Sequence, residues 1–218
     1  MINKKLLDYI IERLSNGRRV LISHYLIPKL VLIVKTVNTI DKNTIIYDEK
    51  HLLTRTKLVE LIRDDVLVSD KTNTPPRNYR VVYIEPTRFP WRIYNRDVLV
   101  TLTPGTYSFK IPNYYERIYL NKLGENLYEL YIKETLERFR FRIKGYDIVY
   151  EEKPGGLIGK AYDMLRKAMQ DYGEIRVKDA VNILVFELGI SKEKAREILS
   201  KLVIEKYIRV EKGFIIVY

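Results

Sequence analysis

The sequence contains no cysteine and only two histidines among its 218 residues. Without cysteine there are no disulfides and no thiolate zinc sites. His24 and His51 cannot by themselves build a histidine-rich metal site, and each is expected to be a surface or internally satisfied residue. The composition therefore excludes thiolate zinc sites and histidine-rich metal sites, and we predict no metal ion and no cofactor.

Long apolar segments are lacking as well. The longest apolar run, residues 30–34, is far shorter than the roughly 20 residues that a membrane-spanning helix needs. The N-terminus shows no signal-peptide pattern. We therefore expect a cytoplasmic protein that is not associated with a membrane. The lack of cysteine, the 3 methionines and the abundance of Ile, Tyr, Lys and Glu are typical of proteins from thermophiles.

The net charge of +11 is divided unevenly along the chain. Residues 151–218 carry 13 basic and 11 acidic residues, a net charge of +2, which leaves 26 basic and 17 acidic residues, a net charge of +9, before them. An excess of this kind attracts polyanions and speeds their capture. It predicts nucleic acid, most commonly DNA, as the partner; the alternative is a basic surface that serves only solubility.

A charged stretch rich in Pro and Gly, residues 151–156, predicts a linker between two domains. The first, residues 1–150, is long enough to bury a core of its own. The second, residues 157–218, shows three helical patterns at residues 157–172, 178–188 and 191–206, then a hairpin with its turn near Lys212 and Gly213. Gly189 is placed to end the second helix and Ser191 to cap the third.

This order of elements resembles the winged helix-turn-helix family, which mostly binds duplex DNA through its third helix. The resemblance implies DNA contacts from the third helix and the wing, that is, from Lys192, Arg196, Lys201 and Lys212. Glu193 and Glu197 fall on the outward face of the same helix, where phosphate would repel them. The third helix therefore predicts either a DNA-binding surface or a surface for a protein partner.

The first domain begins as alternating helices and strands. Apolar patterns predict helices at residues 6–14 and 52–63 and strands at residues 20–22, 45–48, 66–69, 81–84 and 98–102. Residues 29–38 fit a helix, with a strand as the alternative. From about residue 117 to residue 150 the pattern changes to long alternating strands. The expected fold is α/β, with a mainly parallel sheet and an antiparallel extension.

The same order resembles the core of RecA- and KaiC-type ATPases. Ser23 to Leu30 occupy the place of that family's G-x-x-x-x-G-K-S/T phosphate loop, and only Lys29 matches it. Ser23 and Pro28 replace both glycines, and Leu30 replaces the hydroxyl that would hold magnesium. The resemblance implies a phosphate loop that no longer supports ATP hydrolysis, with either Asp70 or Glu85 as the acidic residue of the metal strand. The alternative is an unrelated α/β domain in which Lys29 lies on the surface.

Two basic segments of this domain are candidates for nucleic-acid binding. A period of two places four cations on one face of a strand, where they form a stripe that tracks phosphates: Arg138, Arg140, Arg142 and Lys144. The alternative is a solvated face paired with Glu129 or Glu137. The second segment interleaves arginines with aromatic residues on a loop and comprises Arg88, Trp91, Arg92 and Arg96. Its alternative is that Trp91 and Phe89 fill the edge of the core.

A third function class is a metal-dependent nuclease. Asp48 and Lys50 have the D/E-x-K spacing of such enzymes, and Asp41 precedes them. Triplets of this kind are also common at solvated strand ends. No serine or cysteine hydrolase arrangement is visible, and we predict no catalytic residue.

The leading hypothesis is a non-catalytic DNA-binding accessory protein of recombination, repair or replication. The alternatives are a winged-helix transcription regulator and the nuclease. The sequence leaves the oligomeric state open.

Overall fold

The computed structural model describes residues 2–90, 93–150 and 154–217. It divides into two compact units, Met1–Tyr150 and Glu151–Tyr218. Within the described residues, no helix is long and apolar enough to cross a membrane. Trp91 and Arg92, two of the predicted nucleic-acid contacts, lie outside the described residues.

The first unit is built on one nine-stranded sheet with the order β3-β2-β4-β5-β1-β6-β7-β8-β9. Strands β1 to β6 pair in parallel, and β6 to β9 form an antiparallel meander. The strands are β1 (Arg18–Ile22), β2 (Thr44–Tyr47), β3 (Leu67–Ser69), β4 (Arg80–Ile84), β5 (Val98–Leu102), β6 (Glu116–Gly124), β7 (Leu127–Ile132), β8 (Arg138–Lys144) and β9 (Asp147–Tyr150). The predicted α/β fold with a mostly parallel sheet and an antiparallel extension is confirmed.

The two faces of this sheet are covered differently. Helices α1 (Ile2–Ser15) and α2 (Leu26–Thr39) pack on one face and form the larger core with β-strand residues such as Leu21, Leu99 and Phe141. The other face is covered by loop residues, among them Phe89 and Tyr115. Strands β4 and β5 are buried along their whole length, as expected for central parallel strands.

One segment decides between two predicted alternatives, and another differs from its prediction. Residues 29–38 are helical, so the strand alternative is wrong there. The helix predicted at residues 52–63 is instead the short helix α3 (Leu52–Arg55) followed by a single 3-10 turn, Leu58–Leu61. Lys57 between them has a φ of +58°, a left-handed conformation that an α-helix cannot contain.

Within residues 154–217, the second unit has three helices and a three-stranded sheet of order β10-β12-β11. Its elements are α4 (Gly156–Tyr172), β10 (Ile175–Arg176), α5 (Val177–Leu188), α6 (Lys192–Ile204), β11 (Ile208–Glu211) and β12 (Phe214–Val217). Strand β10 was not predicted, because two residues are too short to show a period. Gly189 ends α5 with a φ of +61°, and the Ser191 side chain accepts a hydrogen bond from the Lys194 amide at the start of α6.

Candidate functional site

The resemblance to RecA- and KaiC-type ATPases assigns their phosphate loop to the short connection between β1 and α2. Only residues 23–25 separate the end of the strand from the first helical residue. Lys29 therefore lies in the first turn of α2, and its side chain is fully buried. Its Nζ forms an ion pair with Glu85 and donates a hydrogen bond to Thr103 Oγ1 at 2.7 Å. The alternative of a surface lysine is thus wrong.

Glu85 follows β4 and is held in place from several directions. Its φ of +45° is unusual for a glutamate and turns the chain at the carboxyl end of the strand. Its Oε2 accepts a hydrogen bond from the Thr103 amide at 2.8 Å. Of the two acidic candidates, the structure brings Glu85 beside Lys29, whereas Asp70 is exposed after β3. Sequence spacing did not distinguish them, because the choice depends on which strands are neighbours.

The environment of Lys29 has a clear electrostatic consequence. Burial lowers the pKa of its ammonium below the usual value, and the hydrogen bond and charge of Glu85 offset this only in part. The Glu85 carboxylate thus neutralises a buried lysine. Lys29 and Glu85 therefore form a buried ion pair that connects α2 to the end of β4.

The connection itself has few groups left to bind phosphate. The Ser23 amide donates to the Leu102 carbonyl at 3.0 Å, and the Ser23 hydroxyl donates to the Leu120 carbonyl at 2.6 Å. The Tyr25 amide donates to Ser23 Oγ at 3.1 Å, and Pro28 has no amide hydrogen. These donors tie the connection to the sheet, whereas a phosphate loop directs its backbone amides toward the ligand.

Asp48, the carboxylate of the nuclease hypothesis, has a structural role in this fold. It is 3% exposed, and its two carboxylate oxygens accept hydrogen bonds from the amides of Leu52 and Leu53 at 2.9 and 2.8 Å. It thus caps the first turn of α3. Lys50 and Asp41 are exposed. Groups of three or more metal-ligating side chains are not found in the described part of the chain.

The stripe on β8 has the predicted alternation but not the predicted exposure. Phe141 and Ile143 are buried against the helices, as expected, and the four cations occupy the other face. Arg140 is only 6% exposed, so the expectation of an exposed row of four cations is wrong at its second member.

Two other members of the stripe have partners within the meander. Arg138 forms an ion pair with Glu129 at 2.9 Å and lies over the Tyr131 ring at 4.2 Å from its centroid. Arg142 donates to the Glu125 carbonyl at 3.3 Å, and Lys144 is exposed. Pairing with Glu129 is the alternative that the sequence had offered.

The arginine-aromatic loop after β4 is described in part. Arg88 and Arg96 are exposed, whereas Phe89 is buried against Phe109 and Tyr115 with ring centroids 5.4 and 5.0 Å away. Phe89 therefore fills the core edge, as its alternative interpretation predicted. The nucleic-acid role of the two exposed arginines stays a prediction.

In the second unit, a groove lies between α5, α6 and β11. Its volume is about 520 Å³, and it is lined by the cations Lys178, Lys192 and Arg196 and by apolar or small residues, namely Val177, Val181, Leu199, Ser200, Val203 and Val210. Lys192 and Arg196 are four residues apart on α6 and so share one face. All three cations are exposed, and within residues 154–217 none of them is ion-paired.

Two of these cations were predicted and one was missed. Lys192 and Arg196 belong to the predicted contacts of the third helix, whereas Lys178 comes from the first turn of α5. Sequence spacing alone cannot place Lys178 beside α6, because that requires the packing of the two helices. Lys201 and Lys212 are exposed but do not line this groove.

Both outward glutamates of α6 have lowered pKa values, and Glu197 is ion-paired with two lysines. Glu197 pairs with Lys194 at 2.9 Å and with Lys201 at 3.2 Å, and hydrogen bonds from these two lysines lower its pKa. Glu193 lies at the N-terminus of α6, where hydrogen bonds from its own amide and from Ser191 lower its pKa. Glu197 is thus neutralised beside the groove, whereas Glu193 stays charged in the field of Arg196 and Lys192.

No protein-family model matches the chain, and no curated protein matches its sequence. Among solved structures, it is similar to one described as the RadB recombinase, with 14% sequence identity and a TM-score of 0.45. That similarity covers 63% of this chain and 92% of the other.

Proposed function

We propose that this chain is a DNA-binding accessory protein whose second unit is a winged helix that contacts duplex DNA through α6. The observation that carries the proposal is the groove lined by Lys178, Lys192 and Arg196. Three exposed cations converge there from two helices, and Glu197 of α6 is neutralised by Lys194 and Lys201 outside it. Arg and Lys on a third helix and its neighbour are suited to phosphates and to guanine edges.

The proposal includes a first unit with a RecA-like core that does not hydrolyse ATP. Its support is the element order of strand, loop, helix, strand, helix and strands ending in a meander, together with the sheet order. The buried Lys29–Glu85 pair supports the loss of hydrolysis, because both side chains are committed to each other. By the resemblance to RecA- and KaiC-type proteins, the setting would be DNA recombination, repair or replication.

The test is a fluorescence anisotropy titration of the whole chain with labelled duplex and single-stranded DNA at several salt concentrations. Neutralising three phosphates gives a slope of log K against log salt of about −3 on duplex DNA. Arg196→Gln and Lys192→Gln should each weaken duplex binding severalfold and reduce the slope by about 1.

The matched control is Arg166→Gln. Arg166 is an exposed arginine of α4 that lines neither groove of this unit, and its substitution removes the same charge. Loss of affinity that is equal for Arg166→Gln and Arg196→Gln would mean that only net charge matters, and the groove would then not be the binding site.

The same titration separates the regulator from the accessory factor. A regulator binds a particular sequence far more tightly than random duplex and uses two-fold related half-sites. An accessory factor shows a steep salt dependence with little sequence preference. We expect the second result, because the groove presents few side chains able to read base edges, Arg196 being the foremost.

A further inference from the structure

A second groove of the C-terminal unit lies between α4 and α5. Its volume is about 760 Å³, and Met164, Ala168 and Ile183 contribute apolar surface to it. Two aromatic side chains stand at its rim almost fully in solvent: Tyr172 is 79% exposed and Phe186 is 86% exposed. Large aromatic residues in a contiguous apolar patch of this kind mark interaction surfaces on soluble domains.

The α4 wall of this groove has an ordered charge pattern. Lys160, Asp163, Met164, Lys167 and Asp171 line it, and at about 100° per residue they fall within about 100° of one another around the helix. The stripe thus begins with a cation and ends, about 16 Å further along the axis, with an anion. Lys160, Lys167 and Asp171 are all exposed.

This pattern is complementary to itself when a second helix runs in the opposite direction. In an antiparallel pair centred between residues 165 and 166, Lys160 lies level with Asp171 of the second copy. The same contact recurs at the other end of the stripe by symmetry. Lys167 lies level with Met164 of the second copy, where its aliphatic stem can cover the thioether. A parallel pair would instead place Lys160 against Lys160 and Asp171 against Asp171.

We infer that this α4–α5 groove is a self-association surface, through which two copies of the chain pair with their α4 helices antiparallel. The charge order of α4 selects a second copy as the occupant, because a two-fold axis is what turns one stripe into two attractive pairs. Phe186 and Tyr172 at the rim supply the apolar surface that the association removes from water. The inference does not depend on DNA binding, because the α6 groove shares no residue with this surface.

The test is sedimentation equilibrium of the full-length chain from about 1 µM to about 300 µM, a range that brackets micromolar dissociation constants. We expect a monomer–dimer equilibrium. Phe186→Asp should abolish the dimer, because it places a carboxylate in the apolar contact while leaving the fold intact at an 86% exposed site. Circular dichroism of each variant verifies that the fold is retained.

Charge reversals provide the decisive comparison. Lys160→Glu and Asp171→Lys should each weaken the dimer by about tenfold, because each creates two like-charge contacts across the two-fold axis. The double variant Lys160→Glu/Asp171→Lys restores opposite charges and should recover the wild-type dissociation constant. Arg196→Gln, in the other groove, should leave the dissociation constant unchanged.

Three outcomes would overturn the inference. In the first, the wild-type chain is monomeric over the whole concentration range. In the second, the Phe186→Asp variant still dimerises. In the third, the double charge reversal dimerises no more tightly than the single reversals. A monomeric chain that still binds duplex DNA through Arg196 would reject the self-association surface and leave the proposed function standing.

Discussion

Replacing Glu85 by glutamine tests whether the buried ion pair is what holds Lys29 in the interior. The substitution keeps the shape and the side-chain oxygen that accepts the Thr103 amide, but it removes the charge that faces the ammonium. Lys29 is fully buried, and its remaining partner is the Thr103 hydroxyl at 2.7 Å. Breaking a buried pair on one side destabilises a protein by about 3–5 kcal/mol. We expect a loss of that order in the unfolding free energy of the first unit.

The double variant Lys29→Met/Glu85→Gln should be much closer to the wild type. Methionine fills a volume similar to that of the lysine stem and needs no counter-charge, and replacing both members of a buried pair is often neutral. Lys29→Met alone leaves the Glu85 carboxylate without its cation and should cost about as much as Glu85→Gln, again about 3–5 kcal/mol. The losses of unfolding free energy in the two single variants should therefore not add in the double variant. The interaction energy between the two positions should be several kcal/mol.

The pH dependence of the stability tests the direction of the Lys29 pKa shift independently. Burial already lowers the pKa of Lys29 from its usual 10.5, and removing Glu85 lowers it further because the largest opposing contributions come from that side chain. Between the folded and unfolded pKa values the unfolded state binds more protons, so stability rises with pH. The deficit of Glu85→Gln should therefore shrink as the pH is raised from 7 toward 10. The double variant lacks this ammonium and serves as the control for every other titrating group.

The assay is urea unfolding followed through the fluorescence of Trp91, the only tryptophan, which belongs to the first unit. Unfolding free energies come from the linear dependence on urea. Single variants that lose less than about 1 kcal/mol, or losses that simply add in the double variant, would refute a tightly coupled pair. A Glu85→Gln deficit that grows between pH 7 and pH 10 would refute the assigned direction of the Lys29 pKa.

Two further predictions concern local structure. Asp48→Ala should destabilise the first unit by about 1–2 kcal/mol, because it removes the cap of α3. We expect no divalent-metal-dependent DNA cleavage from either the wild type or this variant. Cleavage by the wild type that is abolished in Asp48→Ala would support the nuclease hypothesis instead. Gly189→Ala should cost about 1 kcal/mol in urea unfolding of the second unit, because φ is +61° there. The matched variant Gly189→Asn should lose less, because asparagine tolerates the left-handed conformation better than alanine.

Features set by local spacing were predictable from the sequence. The antiparallel meander, the cap at Ser191, the end of α5 at Gly189 and the turn at Lys212 and Gly213 all depend on neighbours within a few residues. Features set by long-range packing were not. Lys29 contacts Glu85 and Thr103, which are 56 and 74 positions away along the chain. The sequence around Lys29 does not predict that its side chain is buried. The break at Lys57 was also hidden, because a left-handed lysine has no composition signal.

For the third helix, the helical period was predicted correctly, but the local pattern alone was not enough to judge DNA binding. Its outward glutamates are where the helical period places them, and taken alone they argue against DNA. In the fold, Lys194 and Lys201 neutralise Glu197, and α5 adds Lys178 to the side that Lys192 and Arg196 occupy. The unit as a whole has a net charge of only +2, counted from the sequence.

That small net charge hides two surfaces of different character. One groove gathers three cations without a paired acid among the described residues, whereas the other carries both cations and carboxylates along α4. Affinity for a polyanion depends on how many cations lie within a Debye length, about 8 Å at physiological salt, of each phosphate, not on the sum over the domain. If duplex binding tracked net charge alone, Arg166→Gln and Arg196→Gln would be indistinguishable. The placement of the cations predicts that only Arg196→Gln changes the affinity severalfold.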